Sequence, residues 1–96
     1  MAYRLTRQAR RDLTAIYALG SKRFGLAAAD RYLDGLFSVA GLLANFPEAG
    51  RELRGISPPM RVHPYRSHII IYRPEGTDVE IVRVRHAREN WLYDPR

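Results

Sequence analysis

The sequence predicts an α+β fold: a two-helix antiparallel hairpin packed on one face of a small, mainly antiparallel sheet, in the order β-α-α-β-β-β. Three observations predict it. Two long segments in the first half carry apolar residues at helical spacing, and the link between them is only a few residues around Gly25. The second half holds a β-branched apolar run at residues 67–73 and an alternating run at residues 78–86. Between these runs stands Pro74-Glu75-Gly76-Thr77, where proline fixes φ and glycine supplies a positive φ. The two runs therefore read as an antiparallel hairpin.

The elements follow in order. Residues 2–5 form a short edge strand, and Thr6 is positioned to cap a helix. Ala9, Leu13, Ile16, Tyr17, Gly20 and Phe24 then make one apolar stripe, with Arg7, Arg10, Arg11, Thr14, Ser21 and Lys22 on the other face. This helix spans roughly 17 residues, or about 25 Å, and Gly25 ends it. Ala29, Tyr32, Leu33, Leu36, Phe37, Ala40, Leu43 and Ala44 make the stripe of a second helix, which Pro47 stops. Residues 47–59 contain Gly50, Gly55, Pro58 and Pro59 and read as a long connection, with the charged piece 51–55 exposed. Residues 60–64 are a third strand beside the hairpin, ended by Pro64.

Ninety-six residues suit a single domain, 1–96, with one modest core. The chain has no cysteine, which excludes a disulfide framework, a thiolate metal site and a cysteine nucleophile. It shows no signal-type segment, and no apolar run approaches the ~20 residues of a membrane span. A soluble, cytoplasmic protein is expected. The net charge is +6, and every basic residue except Lys22 is arginine. The excess is uneven. Residues 1–23 carry Arg4, Arg7, Arg10, Arg11, Lys22 and Arg23 against Asp12 alone. Arginine recognises carboxylate and phosphate bidentately, so an acidic partner is expected.

Candidate chemistry is sparse. His63, His68 and His86 lie on three strands without ligand spacing, so no metal site is expected, and no cofactor motif is present. His86, at a strand end, reads either as a general base or as a histidine bonded to backbone at the sheet edge. Alternation places Arg83 and Arg85 on one face of the last strand, with Arg61 and Arg73 on neighbouring strands. Such a face suits phosphate, the carboxylates of an acidic peptide, or plain solvation. Trp91 and Tyr93 either stack on bases or pack the tail on the sheet.

Several blocks in this order resemble the ParE branch of the RelE/ParE toxin superfamily. The first is Leu5-Thr6-Arg7-Gln8-Ala9-Arg10-Arg11-Asp12-Leu13-Thr14-Ala15-Ile16-Tyr17. Phe24-Gly25, Ala29, Tyr32-Leu33, Leu42-Leu43, Pro47 and Gly50-Arg51 follow. The last are Arg61, Ser67-His68-Ile69-Ile70-Ile71-Tyr72-Arg73 and Val79-Glu80-Ile81-Val82-Arg83-Val84-Arg85-His86. The resemblance implies a toxin of a type II toxin–antitoxin system that inhibits DNA gyrase by binding rather than catalysis. A cognate ParD-like antitoxin would neutralise it in a hetero-oligomer. It also implies no membrane partner and no direct sequence-specific nucleic-acid binding. For the antitoxin, a groove between the first helix and the sheet edge is expected, with Arg7, Arg10, Arg11, Arg61 and Arg73 meeting carboxylates. Arg83, Arg85, Arg88 and Trp91 are the expected target contacts. The alternative is a RelE-like ribosome-dependent mRNA endonuclease, in which His86, Arg88 and Arg61 would be catalytic. Against it, Ile69 stands where RelE-like toxins typically carry an arginine.

Overall fold

The computed structural model describes residues 2–89 and 91. Strand β1 (Tyr3–Leu5) leads into helix α1 (Arg7–Phe24), which turns directly into helix α2 (Leu26–Asn45). A single 3-10 turn, Pro47–Ala49, precedes strands β2 (Arg51–Leu53), β3 (Met60–Tyr65), β4 (His68–Glu75) and β5 (Asp78–His86). The sheet order is β1-β5-β4-β3-β2. β1 runs parallel to β5 and the other neighbours are antiparallel. The helical hairpin covers one face, as the alternation of long helical stripes and strands requires.

One strand was not visible beforehand. Within the segment expected to be connection, Arg51–Leu53 pairs with Val62, Arg61 and Met60 of β3. Three residues are too few to show a period of two, and two of them are charged. Long-range contacts decide the matter. Leu53 is buried with Met60 and Val62. Gly50 N–H donates to Tyr72 Oη at 2.8 Å, and that hydroxyl donates to Pro47 O at 2.6 Å. Arg61 Nη1 donates to Gly50 O at 2.8 Å. The fully buried Tyr72 therefore holds the segment against the end of the sheet through its polar tip.

The sheet is apolar on both faces. Under the helices, Ala9, Leu13, Leu36, Ala40, Leu43 and Ala44 close on Ile70, Tyr72, Val79, Ile81 and Val84. On the far face, Leu53, Met60, Val62, Ile69, Ile71 and Val82 cluster, and Ile56 and Trp91 pack over them. Trp91 thus lies on the sheet, in agreement with the packing reading of the tail. Tyr93 lies outside the described residues. The pairing register shifts at Ile71/Tyr72, where Val82 is the extra residue of β5. That bulge lets both Val82 and Val84 be buried, on opposite faces, with Arg83 between them.

Thr6 caps α1 as expected, accepting from Ala9 N–H at 3.0 Å. The same hydroxyl donates to Val82 O at 2.7 Å, so the cap also docks the helix start onto β5. Gly25 ends α1 with its N–H on Ser21 O. Its backbone lies at φ 92°, ψ 161°, a region that only glycine enters readily. One residue thus reverses the chain between two helices. We expect Gly25→Ala to destabilise by about 1–3 kcal/mol through backbone strain alone, because nothing lies near its Cβ position. Gly41, inside α2, has equally open space but helical geometry. Gly41→Ala is therefore expected to stabilise by about 0.5–1 kcal/mol. Urea unfolding of the two variants checks the contrast.

Candidate functional site

The hairpin leaves part of the sheet uncovered, and an open cleft of about 620 Å³ lies there. Ile16, Leu19, Gly20, Ala29, Leu33 and Val84 make its apolar wall, and Tyr32, Ser67, His68, His86 and Glu89 close its polar end. Gly20 and Ala29 let the two helices approach closely along this wall; a Cβ on Gly20 would lie 3.6 Å from that of Ala29. At the mouth the apolar side chains are unusually exposed. Leu19 is 52% exposed and Phe24 73%. Phe24 belongs to the predicted apolar stripe, yet it stands exposed at the cleft.

The sheet-edge wall of the cleft is held by carboxylates. β1 pairs with β5 only as far as Ile81, which leaves the outer edge of β5 open beyond it. Asp12 fills that gap. Its Oδ2 accepts from Val84 N–H at 2.9 Å and from Arg83 Nε at 2.7 Å, while Oδ1 accepts from Arg83 Nη2 at 2.9 Å. Glu89 repeats the device one step along: Oε1 accepts from His86 N–H at 2.8 Å and Oε2 from Arg85 Nη2 at 3.0 Å. The His86 N–H donor, aided by Arg85, holds the Glu89 carboxyl below its ordinary value against the opposing effect of burial. Each carboxylate occupies an acceptor position that a neighbouring strand would otherwise supply.

At the polar end, Tyr32 Oη and His68 Nδ1 lie 2.7 Å apart. Ser67 N–H donates to the same hydroxyl at 3.2 Å, and Tyr65 Oη donates to Tyr32 O at 3.0 Å. His68 and His86 face each other across β4 and β5, with ring centroids 5.3 Å apart. Burial, reinforced by repulsion from His86 and opposed by Glu89, pushes His68 below the ordinary histidine value. A neutral imidazole with its proton on Nε2 can accept a hydrogen bond from the Tyr32 hydroxyl. His86 Nδ1 accepts from Arg88 N–H at 3.1 Å, which is the backbone-bonded arrangement rather than a free general base.

The predicted arginines are scattered. Arg83 and Arg85 pair with Ile71 and Ile69, so they do share a face, but both guanidiniums are engaged by Asp12 and Glu89. Arg73 is held by Glu80 and Glu75. Arg61 sits at the far end of the sheet, opposite Tyr72, on Gly50 O and near Glu52. His86 instead pairs with His68 at the other end of β4. A catalytic set of Arg61, His86 and Arg88 is therefore not brought together. Arg7, Arg10 and Arg11 are exposed on the side of α1 away from the cleft, which is lined instead by Asp12, Ile16, Leu19 and Arg23. They are not among the residues that line this cleft. Asp12, Tyr32 and Leu19, which build the cleft, were missed as site residues. Asp12 carried a signal, as the only acid among the first 23 residues.

An open apolar cleft beside a capped sheet edge, on a two-helix, five-strand α+β sandwich, defines the class of fold. Residues 3–91 match the family described as the ParE toxin of type II toxin-antitoxin system, parDE. The chain is 33% identical over 88 residues to toxin ParE1 of Caulobacter vibrioides, covering 92% of this chain and 91% of that protein. Toxin ParE3 of the same organism is 29% identical over 85 residues, covering 88% and 85%. A solved structure described as the chromosomal ParDE TA system from P. aeruginosa superposes with a TM-score of 0.76 at 22% identity, covering 90% of this chain and 95% of that one. The protein thus belongs to the ParE toxin family of type II toxin–antitoxin systems. These matches give no support to the RelE-like nuclease alternative. Among the described residues, no helix is long and apolar enough to cross a membrane.

Two outcomes follow from the site's geometry. Asp12→Ala takes the carboxylate from a half-buried Arg83 and leaves the Val84 N–H without its acceptor, and is expected to destabilise by about 1–3 kcal/mol, measured by urea unfolding. His68 has a folded value below the unfolded 6.5, so the unfolded chain binds the proton first on acidification. The stability contributed by this group is complete above about pH 6.5 and falls as pH drops through the folded value. Unfolding at pH 7.5 and 5.5 should show this loss, and His68→Phe should reduce it.

Proposed function

We propose that this toxin inhibits DNA gyrase, and that a cognate ParD-like antitoxin holds it inactive in a cytoplasmic hetero-oligomer by laying an amphipathic segment into the cleft. The observation that carries the antitoxin reading is the apolar mouth. Leu19 and Phe24 stand exposed beside a preformed apolar wall, an arrangement that suits the apolar face of a docked helix. Arg23 on the rim offers a partner for an acidic side chain. The gyrase reading is supported by family membership. Arg88, exposed beyond β5, and Trp91 are the proposed target contacts, while Arg83 and Arg85 hold the strand that presents them.

Purified toxin is expected to inhibit gyrase supercoiling, and its expression alone should raise a DNA-damage response while mRNA stays intact. Ribosome-dependent mRNA cleavage without gyrase inhibition would overturn the reading. Leu19→Asp places a charge on the apolar mouth. It is expected to weaken antitoxin binding by roughly 30-fold or more, the size of a hot-spot loss, in a titration calorimetry experiment. Affinity unchanged by Leu19→Asp would remove the cleft as the antitoxin site.

A further inference from the structure

Helix α1 carries a second surface that the cleft does not use. At 3.6 residues per turn, the side chains of Asp12, Ile16, Leu19 and Arg23 face the cleft, and Ala9 and Leu13 face the core. Arg7, Arg10 and Arg11 lie roughly half a turn away from the cleft set. All three are exposed, and Thr14, Ala18 and Lys22 continue the same exposed strip. None of the three guanidiniums has a hydrogen bond or ion pair among the described residues. This separates them from Arg4, Arg61, Arg73, Arg83 and Arg85, each held by a carboxylate.

Their position is unfavourable for the fold itself. The first turns of a helix present the positive end of its dipole, where cations destabilise and acids stabilise. The first turn of α1 has no acidic residue, and Asp12 is turned to Arg83 and Val84. Three unneutralised arginines at that end therefore concentrate positive potential on one convex surface.

We infer that Arg7, Arg10 and Arg11 form a nucleic-acid-binding surface that grips the phosphate backbone of duplex DNA without reading its sequence. Arginine matches phosphate bidentately. Arg7 and Arg11 lie one turn apart, about 6 Å along the axis, close to two base-pair rises of about 3.4 Å on one strand. The strip between them and Lys22 offers Thr14 and Ala18 but no large apolar anchor. Protein interfaces depend on such anchors, so an acidic protein fits less well. An amphipathic helix needs its apolar face free to enter a membrane surface, and the half of that face nearest these arginines, Ala9 and Leu13, is buried in the core. The surface is distinct from the cleft and does not depend on what occupies it.

The test uses the full chain and a labelled duplex of arbitrary sequence, read by fluorescence anisotropy. Three phosphate contacts predict a log–log salt slope of about −2.7, or roughly a 40-fold loss of affinity between 50 and 200 mM salt. In R7Q/R10Q/R11Q the slope should become shallower by nearly that amount, with the thermal unfolding temperature held or raised and antitoxin affinity unchanged. R7K/R10K/R11K should keep most of the slope. Should the triple glutamine variant fold poorly, each single variant should remove about 0.9 of the slope. An unchanged slope in the glutamine variants overturns the proposal. So does binding of polyglutamate, or of phosphatidylglycerol vesicles, as tightly as the duplex at the same salt and with the same dependence on these arginines. The first result would assign the surface to an acidic protein, the second to a membrane.

Discussion

The bond between Asp12 and the edge of β5 sets the geometry on which the rest depends. β1 is three residues long and cannot pair with the whole of its neighbour. Beyond Ile81, β5 would present free N–H and C=O groups, and the hairpin would have little to fix its distance from the sheet. Thr6 and Asp12 supply both needs from α1, reaching Val82 O and Val84 N–H respectively. Arg83 closes the arrangement by pairing with the carboxylate already in place. The angle of α1, and hence the width of the cleft between the hairpin and β5, follows from these bonds.

That width leaves apolar surface in water. A chain of this size buries a modest fraction of its surface, yet it leaves Leu19 and Phe24 exposed at the cleft mouth. Extending the sheet or the hairpin by a few residues would cover them. Such exposure reduces the stability of the isolated toxin, and it gives a partner a large hydrophobic gain on binding. The polar end of the cleft is stiff by contrast. Tyr32, Tyr65, Ser67, His68, His86 and Glu89 are linked by hydrogen bonds and edge-to-face ring contacts. The proposed antitoxin segment would meet an apolar wall and a hydrogen-bonded polar stop.

The arginines divide into two groups that composition could not separate. Arg61, Arg73, Arg83 and Arg85 maintain the sheet, joining strands or tying edge segments through carboxylates and a carbonyl. Arg7, Arg10 and Arg11 maintain nothing inside the fold. A +6 chain can therefore keep a structural set of cations beside exposed ones, and Arg7, Arg10 and Arg11 add to its outward potential.

The sequence by itself determined the layer architecture. Helical and strand periods, the Thr6 cap and the Gly25 reversal are local signals, fixed by neighbours within a few residues. The hairpin turn is shorter than the expected residues 74–77, because Pro74 and Glu75 pair with Val79 and Asp78 and only Gly76-Thr77 make the turn. The apolar stripe of α1 likewise marked the core-facing Ala9 and Leu13, but not the cleft-lining Leu19. The tertiary structure decided what depends on distant neighbours. Arg51–Leu53 becomes a strand only because β3 and Tyr72 lie beside it. His68 and His86 meet only through the register of β4 on β5. Arg83 is lost as a free cation because the bulge at Val82 and the approach of α1 bring it to Asp12, 71 residues earlier. Alternation along a strand says which face a side chain starts from. Which partner it finds depends on register and on helix placement, and those are set by packing across the whole chain.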